Sequence, residues 1–243
     1  MTKLNSEIMG RMLTRVTLKG LIGEAPLIID EAGNGIIQAI DYSGSFVVSC
    51  QGKVINDAID SPIALGLCNL KMLCQFFQGA KEQIAFVVKD EWLTLRHKTG
   101  RVKTLLQSIE TLPTKVDSPV TVSMFTEKST AQFTIDQQFF DALSYYVGLV
   151  GSNSIVFTAK NGQLTIRSNE HDEQQFVFQK AAQVEPKTAM VSSELFTNQL
   201  MPILEVALAT ITPENILTVH MGDSTPLVVE DPNGFWALMP IVA

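Results

Sequence analysis

The sequence predicts an α+β protein made of two similar domains, each with two helices packed on antiparallel sheets. Three observations lead there. The order helix, strands, helix, strands is spelled twice, with helix starts 62 residues apart in the first half (5 to 67) and 56 apart in the second (137 to 193). Between the halves runs QSIETLPTKVDSPVTVS, residues 107–123, whose Pro113 and Pro119 and scarcity of large apolar side chains fit neither a helix interior nor a central strand. Each half also closes on short strands separated by tight-turn residues, the pattern of an antiparallel meander. The expected division is a first domain over 1–107, an interdomain connector over 108–123 and a second domain over 124–243.

In the first half, Asn5 is a plausible cap for a helix over 5–19, where Ile8, Met9, Met12, Leu13 and Val16 recur at helical spacing. Glu7, Arg11, Thr14 and Arg15 gather on the other side, so Arg11 and Arg15 are expected on one exposed face. Gly33-Asn34-Gly35 reads as a hairpin turn between two Ile-rich strands, and 46–50 as a further strand. A second helix is expected over 67–78, with Leu67, Leu70, Cys74 and Phe77 as its apolar stripe, Lys71, Gln75 and Gln78 beside it, and Gly79 at its end. QIAFVV, WLTLRHK and RVKTLLQ then form a meander whose last strand leads into the connector, and Arg96, Lys98, Arg101 and Lys103 make that region basic.

The second half repeats the scheme. Residues 131–135 read as a strand and 137–150 as a helix, and Asn161-Gly162 marks the turn of the hairpin SIVFTAKNGQLTIRS. QQFVFQK follows as a strand. Ser192 or Ser193 with Glu194 suggests a helix start over 193–209, which Pro202 should kink or shorten. ENILTVHMG, TPLVVED and FWALMPIVA make the second meander.

Composition narrows the class. At 243 residues, 46% hydrophobic and 18% charged, each half is long enough to bury its own core. No apolar run approaches the roughly 18 residues of a membrane span, and MTKLNSEIMGR lacks a signal-peptide core, so an intracellular, cytoplasmic protein with no membrane partner is expected. Cys50, Cys68 and Cys74 are odd in number and match no zinc spacing; they read as buried thiols in a reducing compartment. Residues 1–115 carry 13 Lys+Arg against 11 Asp+Glu, net +2, and 116–243 carry 5 against 14, net −9. A chain this acidic cannot hold nucleic acid by bulk attraction, because such affinity comes from clustered cations that release counterions.

Catalytic groups are scarce. His97 and His220 sit in strand-like alternation, where a structural role is expected. Glu170-His171-Asp172-Glu173 could bind a divalent metal, supporting a metal-dependent hydrolase, but reads more simply as a solvated acidic loop. No phosphate loop, G-x-G-x-x-G, G-x-S-x-G or H-E-x-x-H occurs. A non-enzymatic binding or scaffold protein is expected, with no cofactor and no metal.

The last residues, HMGDSTPLVVEDPNGFWALMPIVA, resemble the C-terminal strands of the sliding clamps of DNA replication, the proliferating cell nuclear antigen family and its phage relatives. Ile40-Asp41-Tyr42-Ser43-Gly44-Ser45-Phe46-Val47-Val48 is similar to that family's M-D-S-S-H-V segment, and the doubled element order extends the resemblance along the whole chain. The resemblance implies the DNA-clamp fold and a homotrimeric ring that encircles duplex DNA and tethers the replicative DNA polymerase as a processivity factor, in the host cytoplasm if phage-encoded. Two helices per domain would face the hole; twelve helices of about 10 Å width leave an opening of roughly 28 Å.

What the resemblance implies for individual residues follows. Arg11, Arg15 and Lys71 would face DNA. Ile40, Val47, Leu112, Pro226, Met239 and Pro240 would line an apolar pocket for peptides of the polymerase and clamp loader. Residues 103–107 and 175–179 would meet at the subunit interface, with Arg101, Lys103 and Leu105 on one side and Gln175, Val177 and Gln179 on the other. The alternative is a monomeric α+β peptide-binding adaptor without DNA encirclement.

Overall fold

The computed structural model describes residues 2–80, 82–98, 100–169, 174–184, 190–211 and 216–241. They form two compact units, Met1–Val120 and Thr121–Ala243. The first contains β1 (Lys3–Leu4), α1 (Ser6–Thr17), β2 (Ala25–Ile29), β3 (Asn34–Ile40), β4 (Phe46–Lys53), β5 (Ile63–Leu67), α2 (Leu70–Gly79), β6 (Ile84–Lys89), β7 (Trp92–His97) and β8 (Gly100–Gln107). Its strands run in the order β1-β6-β7-β8-β5-β2-β3-β4, antiparallel throughout. The second contains α3 (Val122–Thr126), β9 (Ala131–Ile135), α4 (Gln137–Val150), β10 (Ser154–Lys160), β11 (Gln163–Ser168), β12 (Val177–Ala181), β13 (Gln183–Val184), β14 (Met190–Phe196), α5 (Thr197–Thr210), β15 (Leu217–Met221), β16 (Leu227–Asp231) and β17 (Gly234–Leu238). Here the orders are β17-β16-β15-β9-β13 and β12-β11-β10-β14.

The two units repeat one topology pair by pair. In the first, β1 pairs β6, β6 pairs β7 and β7 pairs β8; in the second, β9, β15, β16 and β17 pair in the same succession. Likewise β5-β2-β3-β4 corresponds to β14-β10-β11-β12. The helices fall at equivalent places, α1 and α4 before the hairpins, α2 and α5 before the meanders. Only the short β13 and α3 have no counterpart among the described residues.

Local chemistry sets the helix ends. Asn5 Oδ1 accepts from the amides of Glu7 and Ile8 at 3.1 and 3.2 Å, satisfying donors that the first turn of α1 leaves open. Asp136 does the same for α4 through Phe139 N–H at 2.8 Å, and Gly151, at φ 69°, closes it. Asn161 and Gly162, at φ 52° and 78°, form the expected hairpin turn. The core of the first unit includes Met9, Met12, Leu13 and Val16 of α1, which packs on β4. In the second unit α4 fully buries only Phe139 and Leu143; Tyr146 adds stacking on Phe176 and Phe178, at centroid distances of 5.7 and 5.8 Å.

Four expectations are corrected. The second helix begins at Leu70, not 67: Leu67 pairs with Ala25 in β5, and Cys68 lies in the link between strand and helix rather than on the helix. The hairpin turn runs over residues 30–33 rather than Gly33-Asn34-Gly35, with Gly33, at φ 85°, donating its N–H to Asp30 O at 2.9 Å. Asp30 reaches over it, accepting from the Asn34 amide at 2.8 Å, and Asn34 already belongs to β3. Ser193 and Glu194 are not a helix start but lie in β14, opposite Phe157 and Val156. Pro202 sits inside α5 without ending it, early enough that the carbonyl it leaves unbonded, that of Asn198, lies in the exposed first turn.

Candidate nucleic-acid interface and docking surfaces

The expected cationic helix face is narrower than the periodicity suggests. Arg11 is half-buried on α1 and Lys71 exposed on α2. The two helices pack along Thr14, whose Oγ lies 3.3 Å from Cys74 Sγ and accepts from Gln78 Nε2 at 3.0 Å. Arg15, expected beside Arg11 in solvent, is instead 1% exposed. It lies in the last turn of α1, where the chain reverses through left-handed Leu18 and Lys19 at φ 42° and 60°. That turn is where the helix dipole favours a cation, and the aliphatic stem of an arginine tolerates burial. Arg15 therefore offers no surface to a phosphate. Helices α4 and α5 carry no Lys or Arg, and α4 exposes Tyr145 and Leu149.

The β3–β4 turn is organised around one carboxylate. Asp41 accepts from the Ser43 hydroxyl, from Ser45 Oγ at 2.9 Å, and from the amides of Ser43 and Phe46 at 3.2 and 2.8 Å. Partial burial opposes its ionisation, but these four donors outweigh it and hold the Asp41 carboxyl below the usual carboxylate range. Tyr42 beside it is exposed; partial burial, then nearby Glu24, push its phenol up. Nothing in the sequence pattern singles Tyr42 out.

The segment after β8 is stitched to the first unit. Ile40 N–H donates to Thr114 O at 2.9 Å, Thr114 Oγ1 donates to Glu24 O at 2.7 Å, and the Gln38 amide both donates to Val120 O and accepts from its N–H, at 2.5 and 3.1 Å. Gly66 is required where the segment leaves β8, because a Cβ there would stand 2.2 Å from Gln107 O. Of the first-unit residues expected to line a peptide pocket, Ile40 is half-buried while Val47 and Leu112 are buried. In the second unit Pro226 and Pro240 are half-buried and Met239 is exposed; Ile241 N–H holds the tail by donating to Glu194 O at 2.8 Å.

Among the open strand edges are those of β8 and β12. In β8 only Leu106 and Gln107 pair with β5, so Gly100 to Leu105 have β7 on one side and no described strand on the other. β12 ends the four-stranded sheet, pairing β11 alone. Leu105, Val177 and Gln179 are exposed, and Gln175 is exposed but precedes β12.

The remaining candidates carry little chemistry. Cys50 and Cys74 are buried and Cys68 half-buried. His220 Nε2 lies 3.0 Å from Glu230 Oε1 across β15 and β16, a structural contact. Glu170, His171, Asp172 and Glu173 lie outside the described residues, and no group of three or more His, Cys, Asp or Glu that could hold a metal occurs among the described ones. A cleft of about 330 Å³ lined by Thr2, Lys3, Ile55, Asn56, Asp57, Ala58, Ile59 and Gln83 contains none of the residues expected to meet DNA, a peptide or a neighbouring subunit. No described helix is long and apolar enough to cross a membrane, which says nothing of membrane-spanning strands.

No protein-family model matches the sequence, and no curated protein does. Solved structures do. The structure described as the C-terminal region of FEN-1 bound to A. fulgidus PCNA matches with a TM-score of 0.75 at 15% identity, covering 100% of this chain and 98% of that one. The proliferating cellular nuclear antigen of Entamoeba histolytica matches at 0.74 and 17% identity, covering 99% and 98%. The DNA polymerase sliding clamp of Bacillus subtilis matches at 0.77 and 14% identity over 100% of this chain and 64% of its own. The chain thus has the sliding-clamp fold, a mixed α/β architecture of few helices on large antiparallel sheets.

Proposed function

We propose that this chain is a non-enzymatic sliding clamp: three copies close into a ring around duplex DNA and tether a DNA polymerase as its processivity factor, after a clamp loader has placed them. The observation that supports this reading is the repeated clamp unit, matched end to end by solved clamps, together with the open edges of β8 in the first unit and β12 in the second. A β8 edge in one copy can accept the β12 edge of the next, with Arg101, Lys103 and Leu105 meeting Val177 and Gln179 and with Gln175 at the margin. Such a head-to-tail contact uses two different surfaces and propagates until the ring closes. Two units per chain and six per ring require three copies.

Arg11 and Lys71 are the helix cations assigned to DNA. Arg15 drops out because it is buried. Ile40, Val47 and Leu112 in the first unit, with Pro226, Met239 and Pro240 in the second, are assigned to peptide docking, with Val47 and Leu112 as the floor. Burying a few anchors at about 1.5–3 kcal/mol each gives micromolar affinity.

Sedimentation equilibrium tests the assembly. A ring has three times the chain mass of 26.7 kDa; a species of one chain mass at micromolar concentration identifies the peptide-binding adaptor instead.

A further inference from the structure

The β1-β6-β7-β8 sheet buries one face and exposes the other. Leu4, Ile84, Phe86, Leu93 and Leu95 point inward. Residues directly opposite one another in adjacent strands share a face, so the exposed side can be read row by row. Lys89, Trp92 and Leu105 form one row, Val87, Thr94 and Lys103 the next, and Lys3, Ala85, Arg96 and Arg101 the third. None of the residues in these four strands is acidic, in a protein of net charge −7. All five cations are exposed and none forms an ion pair with a described carboxylate. Asp90 and Glu91 in the β6–β7 turn stand at the margin, and Glu82 is occupied by Lys98 at 2.7 Å. Among the cations, Val87, Trp92 and Leu105 are 40%, 40% and 44% exposed, and Lys103 Nζ stands 4.2 Å from the centre of the Trp92 ring.

We propose that this sheet face binds single-stranded nucleic acid. The requirements of such a ligand are a cationic track for the backbone and apolar or aromatic surface for unstacked bases. Both occur here on one lattice, with rows about 7 Å apart along the strands and about 4.8 Å between strands. Duplex DNA hides its base faces and would leave Trp92, Val87 and Leu105 in water. An acidic peptide would satisfy the cations but bring no ring face to Trp92. When a base stacks on the indole, the flexible Lys103 stem swings from ring to phosphate, and Lys89 and Arg96 follow the backbone across β6 and β7. Lys3, Lys89, Val87, Trp92 and Arg96 lie inboard of the β8 edge and form the part of the site outside the proposed subunit contact, whereas Arg101, Lys103 and Leu105 on β8 are shared with that contact.

Anisotropy of a labelled oligothymidylate of about 15 nucleotides tests the proposal. For three or four phosphates neutralised on a single strand, raising salt from about 50 to 200 mM weakens binding roughly 20- to 50-fold. Lys89→Glu with Arg96→Glu lowers affinity more than about tenfold, and Trp92→Ala lowers it about tenfold while Trp92→Phe retains most of it. Lys160→Glu, at the exposed end of β10 in the second unit, leaves it unchanged. Melting curves show that each variant is folded, and the sedimentation mass of the Lys89/Arg96 variant tests the ring separately. The proposal is overturned by no binding at low salt, by indifference of a folded Trp92→Ala protein, or by an oligoglutamate competing as well as the oligothymidylate, which would make the face a protein-docking surface.

Discussion

Asp41 shows how one residue can define a candidate site. Its four donors come from three residues within five positions, so the carboxylate shapes the whole β3–β4 turn on which Tyr42 and Ile40 are displayed. Asparagine fits the same space but presents an amide to donors on one side, and losing charge-assisted hydrogen bonds costs about 1–2 kcal/mol at a partly exposed site. Asp41→Asn is therefore expected to lower the melting temperature at pH 7 and to weaken capture of partner peptides. The pH dependence has a definite sign. A carboxyl whose folded pKa is depressed contributes fully above its unfolded pKa of about 3.9 and loses the contribution as pH falls through the folded value. The gap between native and Asp41→Asn melting temperatures should accordingly close in acid; a gap that stayed constant from pH 7 down to pH 3 would show that the charge is irrelevant to the turn.

Helices are the elements most legible in the sequence, because period 3.6 and a polar cap are local signals. Asn5 and Asp136 announce α1 and α4 closely, whereas α2 and α5 start within three residues of the strands β5 and β14 and their N-cap residues, Asn69 and Phe196, make no side-chain capping hydrogen bond. Leu67 and Ser193 were for that reason expected on helices. The fate of Arg15 is not legible at all, since its burial depends on tertiary packing that the periodicity of α1 cannot report. Strand edges are intermediate: the meander implies that β8 ends a sheet, but only the pairing with β5 shows how little of it is covered. On the proposed ring this edge faces the β12 edge of a neighbour; the sequence before β12 carries Glu170, Asp172 and Glu173, and opposite signs steer association more than they stabilise it. Reversing Arg101 and Lys103 to Glu should raise the trimer dissociation constant about tenfold or more. A sedimentation mass that holds at three chains across the same dilution series as the native protein would remove these residues from the interface.

At the scale of the whole molecule the question the proposed function raises is what would keep an acidic protein on DNA. The second half is net −9, its helices carry no cation, and α4 offers Tyr145 and Leu149 where a phosphate-gripping surface would need lysine. Only Arg11 and Lys71 remain of the helix cations assigned to DNA, so the favourable charge is confined to one unit in each pair. On the proposed ring, retention comes from topology, and topology is indifferent to ionic strength. Holding duplex DNA by about six phosphate contacts would weaken binding by more than about a thousandfold over a fivefold rise in salt. A closed ring loaded on nicked circular plasmid should instead survive a shift from about 0.1 to 0.5 M salt with its half-life nearly unchanged, provided sedimentation shows the trimer intact at the higher salt, and should leave within seconds once the plasmid is cut. Arg11→Glu with Lys71→Glu should slow loading while leaving that lifetime on the circle alone. If the native protein instead left circle and linear DNA at the same salt-dependent rate, contact rather than encirclement would hold it, and the two helix cations would be too few to explain how.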